Sequence, residues 1–488
     1  MIKTNKKILV IGATGYVGSR LVPALLSQGY QVTATSRSLD ALKHHPWHAH
    51  PNVSLVQTDL IDEGNLSTIL EGVSHVFYLV HGMASGTDFY QYELNMARHV
   101  AREISTSSVE RLIYLGAIQP QHVSSPHLAA RKATGNILRD GGKQVIELRA
   151  GIIIGSGSAA FEVMRDIVSH LPVITTPVWV RSKSSPVALE TMIGYLTKLI
   201  DIDLKGSPVF DVSGPEVISY EDQMRRFARI INKRIFIIKM PLLTPRISSF
   251  WLTLITTVPK PIASALIDGL SYELLPTGND IASVIPEPQI SFEQAVEAAL
   301  ANESDVVKSD IWGFDADAIA RWHRNYGYYP KHAGFCVETD ASADVLWENI
   351  QKVGGENGYF FGNALWQLRA WMDAAIGGNA LVKRRPQSDT LQTGDYIDSW
   401  KVIQCVPKKH LSLLFGMKAP GLGRLEFTVN DLGETRQLDI RAWWHPAGFS
   451  GLLYWFAMMP AHLFIFKGMA YALAKKSGAK KISPHHPS

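Results

Sequence analysis

The stretch Ile8-Leu9-Val10-Ile11-Gly12-Ala13-Thr14-Gly15-Tyr16-Val17-Gly18 constrains the fold more than any other in this 488-residue chain. Lys7 to Ile11 is a short apolar β-branched run and predicts a strand covered on both faces. From Val17 the apolar residues fall at Val17, Leu21, Val22, Leu25 and Leu26, the spacing of a helix that buries one side. Gly12, Gly15 and Gly18 lie at the junction. The first permits a tight turn, the second lets a phosphate approach the main chain, and the third lets the helix pack against the strand. The helix N-terminus then offers free N–H groups and a partial positive charge to a pyrophosphate. Three glycines at this spacing are a weak signal alone, but between a strand and a helix they predict a dinucleotide site. Its first candidate residues are Gly12, Ala13, Thr14, Gly15, Tyr16, Val17 and Gly18.

The next segments extend that site. A strand from Gln31 to Thr35 ends at Ser36-Arg37-Ser38. An acidic residue there would hold the ribose hydroxyls of NAD, whereas Arg37 suits the 2′-phosphate of NADP, so NADP(H) is expected in preference to NAD(H). A third strand, Val53 to Gln57, is followed by Asp59 and Leu60, with Asp59 placed either to accept a hydrogen bond from adenine or to cap a helix. A fourth strand, His75 to Val80, brings Val80 and His81 beside the expected cofactor. A helical pattern from Asp88 to Ser107 leads to a fifth strand, Arg111 to Leu115. Strands and helices alternating at this length predict an α/β domain with a doubly wound parallel sheet. The tract His44-His45-Pro46-Trp47-His48-Ala49-His50 has no interleaved Cys or carboxylate, so it reads as a surface connection and not a metal site.

The length implies two or three domains. With 48 basic and 44 acidic residues the charge is too balanced to argue for nucleic acid. Only two cysteines, Cys336 and Cys405, are present, with no Cys-x-x-Cys, which favours a reducing compartment. The apolar run behind Met1 to Lys7 is too short for a signal peptide, so a cytoplasmic location is expected.

After a strand from Gln144 to Arg149 the pattern becomes a smaller lobe. Helices are expected over Phe161 to His170, Leu189 to Ile200, from Ser219 onward, and from Ser291 to Asn302. The apolar, proline-broken stretch Pro241 to Tyr272 reads as core. The polar segment from Asn302 to Asp310 marks a boundary. The expected divisions are 1–302 for the cofactor domain with its lobe, 303–333 for a linker, 334–478 for a second domain and 479–488 for a tail. Nine of the 12 tryptophans lie from Trp312 onward. There a strand, two helices, a run of alternating strands and a long apolar helix, Phe449 to Ala474, follow in order. That helix is broken by Ser450, Gly451, Pro460 and His462, so it is expected to be a buried closing helix and not a membrane span. Lys467, Lys475, Lys476, Lys480 and Lys481 leave room for peripheral contact with anionic lipid at the inner membrane face.

The motif Gly12 to Gly18, with Arg37, Asp59 and the strand ending Leu115-Gly116-Ala117, resembles the extended and atypical short-chain dehydrogenase/reductases. Within them it is similar to the group containing the NADPH-binding accessory subunit of respiratory complex I. The segment Leu148-Arg149-Ala150-Gly151-Ile152-Ile153-Ile154-Gly155-Ser156-Gly157-Ser158 resembles the YbjT-like branch. The resemblance implies a Rossmann domain with a substrate lobe, followed by an α+β helix-grip (START-like, SRPBCC) domain with an apolar cavity. It also implies a Tyr proton donor, a Lys four residues on that holds the nicotinamide ribose, and a Ser after the fifth strand. This sequence departs from that pattern. The Ser region reads Gly116-Ala117-Ile118, and the helix after Pro126 reads His127-Leu128-Ala129-Ala130-Arg131-Lys132. Lys132 is aligned with the ribose Lys, but Leu128 stands where Tyr would be, and His127 is the nearest titratable substitute. Lys132 and His127 are therefore the catalytic candidates, and simple carbonyl reduction is expected to be weak. The expected function is an NAD(P)H-binding oxidoreductase whose second domain takes a small apolar, lipid-like or quinone-like ligand. The alternative is a non-catalytic NADP(H)-binding sensor or assembly protein.

Overall fold

In the computed structural model the described residues are 6–61, 65–82, 89–120, 125–239, 254–312, 315–388 and 390–485. The chain divides into two compact units, Met1–Phe314 and Asp315–Ser488.

The first unit is built on a parallel sheet of seven strands: β1 (Lys7–Ile11), β2 (Gln31–Ser36), β3 (Val53–Gln57), β4 (Val73–Tyr78), β5 (Arg111–Ala117), β6 (Gln144–Ala150) and β7 (Val209–Val212). Their spatial order is β7-β6-β5-β4-β1-β2-β3. The order reverses beside β1, which opens a crevice at the carboxyl ends of β1 and β4. The strand pattern explains the two-sided core. Ile8 and Val10 of β1 join one apolar cluster with Leu21, Val22 and Leu25 of α1 (Gly18–Ser27). Leu9 and Ile11 join the opposite cluster with Met96, Ala97 and Val100 of α2 (Phe89–Ser105). Alternate side chains of one strand thus feed both faces, as a sheet covered on both sides requires. After β5 comes α3 (Pro126–Asp140).

The histidine tract packs locally. Trp47 is buried in a short 3₁₀ turn, Pro46–Ala49, and stacks on His45 with ring centroids 4.9 Å apart. Among the described residues no group of three or more His, Cys, Asp or Glu is placed to hold a metal.

The lobe contains α4 (Ala159–His170), α5 (Leu189–Lys198), α6 (Tyr220–Ile230), α7 (Lys260–Leu270) and α8 (Phe292–Asp310). Residues 241–253 of the expected apolar core lie outside the described residues. Arg165 of α4 is buried with Glu162 and donates to Glu303 of α8 at 2.7 Å. Glu162 accepts the Gly157 N–H at 2.9 Å, and burial raises its carboxyl pKa to about 7. The helix beginning at Ser291 does not stop at Asn302 but continues to Asp310. Ser304 and Asp305 are exposed, while Glu303 and Val307 are anchored inside. Residues 303–333 are thus no linker, and the division falls between Phe314 and Asp315.

The second unit holds α9 (Ala316–Ala320), β8 (Lys331–Thr339), α10 (Ala343–Ile350), α11 (Asn363–Ala375), β9 (Tyr396–Ile397), β10 (Trp400–Val406), β11 (His410–Leu414), β12 (Gly421–Asp431), β13 (Arg436–Pro446), α12 (Gly448–Lys476) and β14 (Ile482–His485). The strands form an antiparallel sheet ordered β9-β10-β11-β12-β13-β8-β14. Residues 479–485 are no loose tail. Asp340 accepts the N–H groups of Lys480 and Lys481 at 2.9 and 3.1 Å, and β14 pairs with β8.

The closing helix α12 is only half buried. Trp455, Ile465, Phe466, Met469, Ala470 and Leu473 face the core. Phe449, Leu453, Leu463 and Phe464 are each more than half exposed. It is the one helix among the described residues long and apolar enough to cross a membrane. Packing of α12 on β8 and β13 along one face explains the buried half.

Candidate functional site

The turn after β1 is a backbone device. Gly12 has φ +88°, and its carbonyl accepts the Gly15 N–H at 3.0 Å. A Cβ on Gly18 would stand 3.0 Å from Ala13 Cα and from Gly12 C, so only glycine lets α1 start this close to the strand. Gly15 is exposed at the tip of the turn. Ala13 and Val17 are buried beneath it and support it. Thr14 and Ser36 share a hydroxyl hydrogen bond of 3.2 Å that ties the turn to the end of β2. Tyr16 is half-buried, and its hydroxyl occupies the space that a side chain at Gly155 would fill.

Arg37 lies one residue beyond β2. It is exposed and makes no hydrogen bond or ion pair among the described residues. Asp59 accepts the N–H of Ile61 at 3.1 Å, a local turn contact and not a helix cap. Leu60 is buried, and its carbonyl meets His99 Nδ1 at 2.7 Å. Val80 is half-buried and His81 exposed. Val80 approaches the glycine turn closely: a Cβ on Gly12 would be 2.9 Å from Val80 Cγ1.

On α3 Lys132 is exposed. Leu128, four residues before it, is buried with Ile118 and Leu274. The residues one step earlier face inward. His127 is buried, and Arg131, one helical turn on, reaches the Val80 carbonyl at 3.5 Å through Nη1. Arg131 Nε lies 3.9 Å from Glu93 Oε1, and Glu93 accepts the Gly82 N–H at 2.9 Å. The Tyr114 hydroxyl donates to the Arg131 carbonyl at 3.1 Å. His127-x₃-Arg131 has the same spacing as Leu128-x₃-Lys132; His127 and Leu128 are both buried, and the pairs differ in that Arg131 is partly buried while Lys132 is exposed.

The electrostatics follow from burial. Removal from water, then the Arg131 charge, lowers the His127 pKa to about 3, so this imidazole is neutral near pH 7. Five buried polar atoms here have no hydrogen-bond partner among the described residues: Glu93 Oε1, Ser125 Oγ, His127 Nδ1, Arg131 Nε and Thr134 Oγ1. Unsatisfied polar atoms concentrated at one place are unusual in a folded interior and suit a site that receives a polar group. Arg131 among them reaches the carbonyl of Val80, which itself touches the glycine turn. This geometry fits a dinucleotide running from Arg37 across the turn toward Arg131. Glu93 and Arg131 were not among the residues that the sequence singled out. Glu93 sits within a helix whose other inward residues are mostly apolar, and nothing in the local pattern marks it.

Residues 4–134 match the NmrA-like family, and residues 333–469 match a family described as a protein of unknown function (DUF2867). Cinnamoyl-CoA reductase 1 of Oryza sativa subsp. japonica is 26% identical over 121 residues, 24% of this chain and 36% of that protein. Dihydroflavonol 4-reductase of Dianthus caryophyllus is 35% identical over 84 residues, 16% of this chain and 23% of that protein. The chain thus spans about a third or less of the length of either relative. The solved structure of a triphenylmethane reductase from Citrobacter sp. superimposes with a TM-score of 0.50 at 16% identity, covering 61% of this chain and 99% of that one. With the sheet order and the glycine turn, these likenesses support an NmrA-like Rossmann fold of the NAD(P)-binding, short-chain dehydrogenase/reductase type at the head of the chain.

Proposed function

We propose that the first unit is an NADP(H)-dependent oxidoreductase in which His127 and Arg131 stand in the places of the usual proton donor and ribose-holding residue. The observation that carries this reading is the contact of Arg131 with the Val80 carbonyl, one side chain away from the glycine turn. A bound reduced nicotinamide would supply a hydride. Gly12, Gly15 and the N-terminus of α1 would hold its pyrophosphate. Arg37, exposed and without a partner, would meet the 2′-phosphate. Arg131 is held by Glu93 and the end of β4, and would orient the ribose.

The neutral His127 is a hydrogen-bond partner and a poor acid, because its protonated form is strongly disfavoured. Ala117 offers no hydroxyl to polarise a carbonyl. The site therefore favours an acceptor that takes a hydride without a proton in the same step, such as a quinone or another conjugated electron-poor ring. Unactivated aldehydes and ketones need general acid help worth about 10²–10⁴-fold. The second unit is read as the receiver of an apolar ligand. It encloses a cavity of about 240 Å³ lined by Trp366, Trp400, Phe415, Trp444, Tyr454 and Trp455.

The test is NADPH oxidation by the full chain with a soluble quinone and with a simple aldehyde, beside titration of NADPH and NADH against Arg37→Ala. Quinone turnover well above aldehyde turnover is expected, with NADPH binding weakened at least tenfold in the variant and NADH binding unchanged. Binding of NADPH with no turnover of either acceptor would favour the non-catalytic sensor.

A further inference from the structure

The helix α11 is built inside out. Its two charged residues, Arg369 and Asp373, are buried. Arg369 donates to the Tyr454 hydroxyl at 3.2 Å and to the Lys418 carbonyl at 2.8 Å. Asp373 accepts the N–H groups of Ala380 and Lys418 at 3.0 and 2.6 Å. The face left to solvent carries Leu368, Trp371 and Met372, each exposed by half or more, with Ile376 just beyond the helix. Helices of soluble proteins show the opposite pattern.

The neighbouring helix repeats the feature. Along α12 the outward residues Phe449, Leu453, Phe456, Leu463 and Phe464 recur at helical spacing, and no Asp, Glu, Lys or Arg occurs from Gly448 to Phe466. The two helices meet around the tryptophan-lined cavity. Leu365, Leu368 and Met372 of α11 line it and are also exposed, so they form its mouth. Phe361, just before α11, and Phe464 of α12 are in ring contact at 5.1 Å. One continuous apolar surface therefore surrounds the opening, of a kind that marks an interaction site.

Charge decides what covers it. The chain has no Asp or Glu after Asp439, while Lys467, Lys475, Lys476, Lys480 and Lys481 follow the apolar stripe. Lys331 Nζ stands 5.9 Å from the centre of the Phe456 ring, and Lys418 Nζ donates to the Ile376 carbonyl at 3.0 Å. Lysines edge the surface near both helices, and the carboxylate of α11 is turned inward. Neither helix carries an exposed carboxylate, and the cations that follow the stripe on α12 are lysines; aromatic and aliphatic anchors flanked by lysines suit an anionic bilayer. Because α12 keeps one face on the sheet, it would lie along the headgroup boundary and not cross it.

We propose that α11 and the first half of α12 form a docking face for an anionic lipid bilayer, and that the cavity opens through this face to admit an apolar molecule carrying an acceptor oxygen. Trp366 Nε1, Trp444 Nε1 and His462 Nδ1 line the cavity and have no hydrogen-bond partner among the described residues. The two indole N–H groups would donate to such an oxygen. Docking stands on the exposed surface alone. Only what passes through it rests on the proposed ligand role of the second unit.

Full-length protein is sedimented with vesicles of phosphatidylcholine, with or without 30% phosphatidylglycerol (a chosen composition), at about 0.1 M salt. Binding at least tenfold tighter to the anionic vesicles is expected, with a blue shift of tryptophan emission that is smaller in Trp371→Phe. The variant Leu368→Glu/Trp371→Glu/Leu453→Glu/Leu463→Glu should lose at least tenfold while its thermal unfolding matches wild type, because all four side chains are exposed. Should that variant misfold, Lys467→Glu/Lys475→Glu/Lys476→Glu gives the same reading by reversing the charge. Failure of wild type to sediment, equal binding to both vesicles, or variant binding as tight as wild type overturns the proposal. A solution dimer abolished by the leucine and tryptophan substitutions also overturns it, because the face then belongs to a second copy. Saturable displacement of an apolar dye from the full chain without vesicles tests the cavity separately.

Discussion

Gly15 and Gly18 sit three residues apart, and the structure assigns them different work. A Cβ on Gly18 would stand 3.0 Å from two backbone carbons, Ala13 Cα and Gly12 C. Carbon atoms pack at about 3.5–4.0 Å. The Gly12 carbonyl oxygen is nearer still, and all three obstacles are main chain, so no rotamer change relieves them and α1 must withdraw from β1 by about 1 Å or more. Overpacking of this kind costs about 1–3 kcal/mol, and a clash with backbone belongs at the upper end. At about 2 °C per kcal/mol for a large domain, Gly18→Ala should lower the melting temperature of the first unit by about 6 °C. It should also weaken NADPH, because the helix N-terminus moves with the helix. Gly15 is exposed and has an ordinary φ, and its nearest obstacle is the Gly12 carbonyl at 3.2 Å. Gly15→Ala should therefore leave the melting temperature within about 2 °C of wild type. Its methyl group would occupy the approach of the pyrophosphate, weakening NADPH about tenfold or more, or about 1.4 kcal/mol. Scanning calorimetry and NADPH fluorescence titration on the two variants separate the roles. Full stability and binding in Gly18→Ala would refute the close strand–helix contact. Unchanged binding in Gly15→Ala would refute a phosphate lying over the turn.

Other consequences can be measured. Arg131→Ala should destabilise the first unit by about 3 kcal/mol, since Glu93 is left buried without its cation. Adding Glu93→Gln should restore part of that loss, whereas Lys132→Ala should change neither stability nor cofactor binding; denaturant unfolding and NADPH titration check all three. Burial lowers the His462 pKa to about 4 from its ordinary 6.5. The unfolded chain then binds a proton that the folded chain refuses, so this group costs stability as pH falls below about 6.5 and continues to do so toward pH 4. His462→Leu should flatten the pH dependence of unfolding in the second unit by about 1–2 kcal/mol between pH 6.5 and 4.5, and an unchanged slope would show that the imidazole is not held neutral.

Much of the architecture was legible because it rests on local pattern. Lys7–Ile11 and Val53–Gln57 are strands with the bounds that their residues predict. The Asn430-Asp431-Leu432-Gly433 turn joins β12 to β13 as its residues require, with Gly433 at φ +90°. The boundary near 302 was misplaced because surface polarity was mistaken for a break, when one buried face suffices to carry a helix through.

The sequence by itself determined the strand–turn–helix at the head of the chain and the alternation that makes a parallel sheet. Those are properties of short segments, set by backbone sterics and hydrophobic period. Only the tertiary structure decided which residues of α3 face inward. His127 with Arg131 and Leu128 with Lys132 have identical spacing, and it is the packing of the helix that buries His127 and Leu128, half-buries Arg131 and leaves Lys132 exposed. Only it could show that Arg369 and Asp373 are buried while Trp371 is exposed. A linear pattern of apolar and charged residues names the faces of a helix, but packing against the rest of the chain decides which face meets the interior.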